Sequence, residues 1–216
     1  MAHIHLPDGS FTLTWVLIWW FCALVLVGVA LLLARRQKQM DPGKITIAAF
    51  VTAASFAIFQ VQIPLAGGVH LNLTPLIGIL AGPVLGALIV FVVNILSAAI
   101  GHGGWGLVGA NVLVNFSEVL VAYLTFRSLK WVTSSLFARA GIATFAGLFV
   151  GNIVMMGIIL ISGIQGVTQT TSQILVGLSL LAAVNMGVAV IEAIITGLTV
   201  AYIGRVRPEI LDGDRG

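Results

Sequence analysis

Residues 71–100, LNLTPLIGILAGPVLGALIVFVVNILSAAI, form one long apolar stretch interrupted by Gly82-Pro83. Whether this stretch crosses a membrane once or twice decides the topology of the chain. A helix spanning a hydrocarbon core of roughly 30 Å needs about 20 apolar residues, so length alone permits a single crossing. Proline removes a backbone donor and clashes with the preceding turn, while glycine reaches conformations closed to other residues. The pair therefore predicts a break that could reverse the chain.

The basic residues choose between the two readings. Further apolar segments are expected at 11–34, 45–63, 107–126, 142–161 and 174–203. The cations lie between them: Arg35, Arg36, Lys38 and Lys44; Arg127, Lys130 and Arg139; then Arg205, Arg207 and Arg215. If residues 71–100 cross once, the middle cluster lands outside together with the C-terminal one, opposite the first. If they cross twice, as 71–81 and 83–100, all ten share one face, which the positive-inside rule makes the cytoplasmic one. The expected architecture is thus all-α: a polytopic membrane protein with about seven transmembrane segments. The whole of 1–216 forms one integral membrane domain in the cell membrane, with the N-terminus outside and the C-terminus cytoplasmic. The 71–81 leg would be only about 16 Å long, too short to span. It is expected to be buried among neighbouring helices, where irregular backbone is tolerated.

Composition agrees and narrows the function. The chain is 59% hydrophobic and 8% charged, with a mean hydropathy of +1.13, far from the soluble average of roughly half apolar and a quarter charged. No soluble catalytic domain fits in the connections. Scattered cations argue against a nucleic-acid partner, and the single Cys22 excludes an internal disulfide or a cysteine-rich metal site. No basic residue precedes the first segment, and Arg35-Arg36 rather than a small-residue cleavage site follows it, so a removable signal peptide is not expected. Trp15, Trp19 and Trp20 suit an interfacial aromatic belt. There is no Walker motif, HExxH or nucleophile–base pair, so the chain is read as non-enzymatic, without ATP hydrolysis or a catalytic cofactor of its own.

All four histidines, His3, His5, His70 and His102, fall in the short gaps between segments, and this topology puts every one outside. A free terminal amine next to a histidine can chelate through the amine, the deprotonated amide nitrogen and the ring Nδ1, leaving one corner of a square for another imidazole. Excision of Met1 would leave Ala2-His3 as that unit, whereas retained Met1-Ala2-His3 would supply four nitrogens alone. Such a site suits Ni(II) or Cu(II), and cobalt with axial ligands. The candidate ligands are Met1, Ala2, His3, His5 and, from the loop Gly67-Gly68-Val69-His70, His70. His102 is a candidate supporting or entry residue. Asn111 and Asn115, one turn apart below its loop, are candidate supports of the site.

Glu118 and Glu192 fall near the middles of their helices. An ionisable group there is costly and marks either function or a helix-locking hydrogen bond. Asn94, Asn111, Asn115, Asn152 and Asn185 are expected to bond between helices. Ala49, Ala53 and Ala57 recur every fourth residue, a small-residue stripe for internal packing or for docking another membrane subunit.

Several of these runs resemble one family. His5-Leu6-Pro7-Asp8-Gly9 is similar to the Met-His-Ile-Pro-Asp-Gly opening of the nickel/cobalt substrate-binding components (CbiM/NikM type) of energy-coupling-factor transporters. His70-Leu71 resembles their second ligand position, and the run from Gly82 to Leu88 and Gly109-Ala110-Asn111 resemble further family elements. The resemblance implies an S-component-like six-helix core with one extra N-terminal helix. It also implies Ni2+ or Co2+ as transported substrate, held by the terminal amine, the amide and ring nitrogens of the adjacent histidine, and a loop histidine. Implied partners are a transmembrane coupling subunit, two cytoplasmic ATPases and a small accessory membrane subunit, with the alanine stripe as docking face. Extra residues precede Pro-Asp-Gly here: chemistry favours His3 as chelator, local alignment favours His5. Rival readings are a vitamin-specific S component and a membrane-embedded metal-dependent enzyme using Glu118 or Glu192.

Overall fold

A computed structural model describes residues 6–37, 42–60, 62–63 and 69–211. Its helices are α1 (Leu13–Arg36), α2 (Pro42–Phe59), α3 (Thr74–Ala99), α4 (Val108–Ser128), α5 (Leu136–Ser162), α6 (Thr171–Val206) and the short α7 (Pro208–Leu211). Two-residue strands β1 (Gln62–Ile63) and β2 (Val69–His70) pair antiparallel between α2 and α3. Among the described residues the fold is all-helical apart from that ladder, and five of the helical runs are long and apolar enough to cross a membrane.

The decisive stretch does turn back. Helix α3 is broken at Gly82, whose φ of 72° and ψ of 175° are open to glycine and not to a helix. A Cβ built on Gly86 would lie 3.5 Å from Cγ2 of Ile77 and 2.6 Å from Cγ1 of Val119. Along an unbroken helix, residues 77 and 86 would stand about 13 Å apart. A Cβ on Gly78 would strike the carbonyl oxygen of the same Val119. The legs 74–81 and 83–99 therefore lie side by side against α4, both requiring glycine where they touch it. The break itself sits by Tyr123, whose ring is 3.8 Å from a Cβ built on Gly82. Counting the two legs, α1, α2, α4, α5 and α6 complete the seven expected segments.

Several bounds differ from the expectation, each for a local reason. The second segment does not run to residue 63: α2 ends at Phe59, and Gln62–Ile63 pair with Val69–His70. The first leg begins at Thr74 rather than Leu71, with Pro75 in its first turn, where a missing N–H is harmless. Helix α5 starts six residues early, at Leu136, because the Ser135 hydroxyl caps it by accepting from the N–H of Ala138 at 3.3 Å. Helix α6 starts at Thr171 behind a capping box of Thr170 and Gln173, and runs on to Val206. Its 36 residues span about 54 Å, well beyond a hydrocarbon core. Helix α4 is entered through a 3-10 turn at Trp105–Leu107.

The helices alternate in direction and so define two ends. At one end Arg35 and Arg36 close α1, Arg127 and Lys130 follow α4, Arg139 lies in the first turn of α5, and Arg205 and Arg207 finish α6. Arg139 Nη2 donates to the carbonyl of Phe126 at 2.9 Å, tying α5 to α4 there. At the other end lie residues 6–12, the 100–107 loop and the 163–170 loop. Burial follows the middle of the bundle: Ile77, Val90, Val112 and Val119 form one packed cluster, and Leu107, Val114, Met155 and Ile158 another. Leu17, Phe21 and Leu32 of α1 and Leu180 and Leu198 of α6 stay exposed, as lipid-facing side chains do.

Candidate metal site

Met1, Ala2, His3 and His5 lie outside the described residues. The segment that follows them is pinned at three points. The Asp8 carboxylate accepts from the N–H of Gly106 at 2.8 Å and of Trp105 at 3.2 Å. Gly104 makes room for that carboxylate, since a Cβ there would run into it. The N–H and hydroxyl of Ser10 both donate to the carbonyl of Pro7, at 3.2 and 2.7 Å, closing a turn in which Gly9 takes a φ of 86°. Finally, Gln165 N–H donates to the Ser10 carbonyl at 2.8 Å, and Phe11 is buried beside Leu107 and Met155.

The tryptophans of α1 bind protein as well as suiting an interface. Trp19 Nε1 donates to the Ser162 hydroxyl at 2.8 Å, and Trp20 Nε1 donates to the Trp105 carbonyl at 3.0 Å. Helix α1 reaches α4 closely because Gly109 lacks a Cβ, which would stand 2.5 Å from the backbone of Trp19 and Trp20.

The second arm of the candidate site is the chain around His70. The His70 backbone pairs with Gln62, and the next residues run non-helically into the bundle before α3 begins. Asn72 and Leu73 are buried at 2% and 5% exposure, which means their backbone donors must find partners inside. Glu192 of α6 supplies both. Its Oε2 accepts from Asn72 N–H at 3.2 Å and its Oε1 from Leu73 N–H at 2.9 Å. Leu73 adopts a left-handed φ of 53°, which costs a non-glycine residue roughly 1–2 kcal/mol. The Asn72 side chain donates to Asn115 Oδ1 at 3.2 Å and to Glu118 Oε2 at 3.3 Å, and the Thr74 hydroxyl donates to the same Glu118 oxygen. Gly151 of α5 leaves the space that the Glu118 carboxylate fills.

Both mid-helix glutamates therefore grip one loop: Glu192 through the backbone of 72–73, Glu118 through Asn72 and Thr74. Asn72 and Thr74 were missed by sequence reasoning. Their only signal was proximity to His70 and to the Thr-Pro helix start. Asn115 joins this network, while Asn111 is buried one turn above it. Asn152 and Asn185 do bond across helices, at 3.0 Å. Asn94 donates to Val90 within its own helix.

His102 sits in the 101–104 loop, its N–H donating to the Ser97 carbonyl at 2.9 Å. Partial burial favours the neutral imidazole and holds its pKa below the usual 6.5. An open cleft of about 690 Å³ lies against this loop, lined by Leu6, Pro7 and Asp8 on one side and by Gly101, Gly103 and Trp105 on the other. Among the described residues no three His, Cys, Asp or Glu side chains cluster as a metal site. Ala49, Ala53 and Ala57 lie exposed along α2.

Residues 5–210 match the family model for CbiM, the cobalt uptake substrate-specific transmembrane region. The chain is 27% identical to the cobalt transport protein CbiM of Sorangium cellulosum over 221 residues, covering 97% of this chain and 95% of that one. It is 28% identical over 215 residues to a protein of Archaeoglobus fulgidus named "Putative fused nickel transport protein NikMN", covering 97% of this chain and 68% of the relative. The fold is that of two crystal structures of a transition metal transporter, one of them truncated, with TM-scores of 0.78 and 0.79 at 19% and 20% identity. The first match covers 94% of this chain and 93% of the other, the second 94% and 99%.

Proposed function

The chain belongs to the CbiM family of cobalt uptake substrate-specific transmembrane regions, and from that premise we propose that it is the ion-capturing subunit of an ATP-driven nickel or cobalt importer. In this reading the ion is Ni2+ or Co2+, held as cargo at the external face. Its ligands are the nitrogens of the N-terminal segment, Met1 or Ala2 with His3 or His5, together with His70. The observation that carries the reading is convergence. The segment leading out of residues 1–5 is anchored to the 105–106 turn that opens α4, and the segment leading out of His70 is anchored further along α4 and on α6, so that both arms are fixed against α4. Two independently fixed arms are what a chelate assembled from distant parts of a chain requires.

Orientation follows from charge. The arginines gathered at the opposite end mark the cytoplasmic face, which leaves the 6–12 and 100–107 segments outside. His102, in the loop that borders the cleft, would then serve as an entry residue, and Asn115 would support the His70 arm. With no nucleotide-binding motif in this chain, the work of release belongs to partners: two cytoplasmic ATPases, a transmembrane coupling subunit and a small accessory membrane subunit. The exposed Ala49, Ala53 and Ala57 stripe on α2 offers the close-packing face for the coupling subunit. Reorientation of this subunit, driven from those partners, would carry the bound ion inward.

Metal analysis of the purified chain together with intact and N-terminal mass spectrometry tests the reading. One nickel or cobalt per chain, with a free N-terminal amine, is the expected outcome. A chain that retains a vitamin and no metal would contradict it.

A further inference from the structure

We propose that Glu192 is a positioning residue for the metal site, fixing the His70 arm by gripping the backbone two and three residues beyond the histidine. This inference rests on the ion-capture reading and goes beyond it, because it gives Glu192 no place among the ligands and has it act through the chain.

Glu192 is fully buried, 0% exposed, and both its oxygens are used as acceptors from consecutive N–H groups, those of Asn72 and Leu73. A carboxylate is acceptor-only, whereas the amide of glutamine presents one acceptor and two donors. Consecutive donors are brought to one carboxylate by the left-handed turn at Leu73, a conformation that persists only where surroundings enforce it. The strands that precede it, β1 and β2, are two residues each. The same segment is held laterally from α4, where Asn115 and Glu118 accept from the Asn72 side chain. The segment two and three residues beyond His70 is thus held from both α6 and α4. A planar chelate tolerates only small displacements of a ligand, so an altered grip should change the metal's ligand field before it changes the fold.

The test uses the full chain with its native N-terminus in detergent, titrated with Ni2+ alone and followed by the visible absorption of the bound ion. Glu192→Gln keeps the side-chain size and removes one acceptor. It is expected to remain monodisperse, to bind Ni2+ at least tenfold more weakly, and to shift the absorption band. An affinity within twofold of wild type with an unchanged band overturns the proposal. If Glu192→Gln does not fold, Glu192→Asp decides, since it keeps both acceptors and draws them back by one methylene: several-fold weaker binding with a shifted band supports the proposal, and unchanged binding and band overturn it. Failure of the underlying reading looks different. Wild type would then bind no Ni2+, or His70→Ala would bind as tightly as wild type.

Discussion

Asp8 accepts the backbone N–H of Gly106 at 2.8 Å, so the N-terminal segment is fastened to the turn that opens α4. The bond is charge-assisted but lies near solvent, and its net worth falls at the low end of the roughly 1.5–3 kcal/mol expected for hydrogen bonds to charged groups. Its loss frees a segment rather than a core. Asp8→Ala is therefore expected to weaken Ni2+ binding about tenfold while shifting the midpoint of thermal unfolding by only a few degrees. Isothermal titration and a fluorescence melt on the same preparation check both halves of that expectation.

The contact of Gly78 with Val119 allows a sharper test of the folded-back α3. A Cβ at residue 78 meets a backbone carbonyl oxygen, which cannot move aside as a side chain would. Gly78→Ala should cost about 1–3 kcal/mol by overpacking. Gly28→Ala is the control, since nothing lies within 4 Å of a Cβ there, and replacing a mid-helix glycine gains up to about 1 kcal/mol. Opposite shifts in melting temperature are expected. Equal shifts would mean that the first leg does not pack on α4.

His102 predicts a pH dependence whose sign follows from burial. The folded chain disfavours the imidazolium, so its pKa lies below 6.5, and the unfolded chain takes up the proton first as pH falls. Stability contributed by neutral His102 is present in full above about pH 6.5 and is lost progressively below it. In metal-free protein, His102→Asn should flatten part of the fall in melting temperature between pH 7.5 and 5.5. A parallel fall in the variant would show that His102 plays no part in it.

Local signals carried the topology and singled out Asn115, Glu118 and Glu192, but not the loop they hold. Gly82-Pro83 and the grouping of the arginines are properties of short runs, and they suffice to double residues 71–100 back on themselves. Helix bounds went astray where polar caps extend a helix past its apolar core, as Ser135 and the Thr170–Gln173 box do. Glu118 and Glu192 stood out because charge in a membrane is costly. Their partner did not, because Asn72 lies 46 residues from the one and 120 from the other. Trp19 and Trp20 read as an interfacial belt for the same reason, since their acceptors on Ser162 and Trp105 lie 143 and 85 residues away.

The central claim, a chelate made by the terminal amine and His70 together, is tested most directly by Ni2+ affinity in three proteins: the native chain, the chain with residues added before Met1, and His70→Ala. The account predicts one tightly bound ion in the native chain and loss of tight binding in both variants. Native affinity retained in either variant would contradict it.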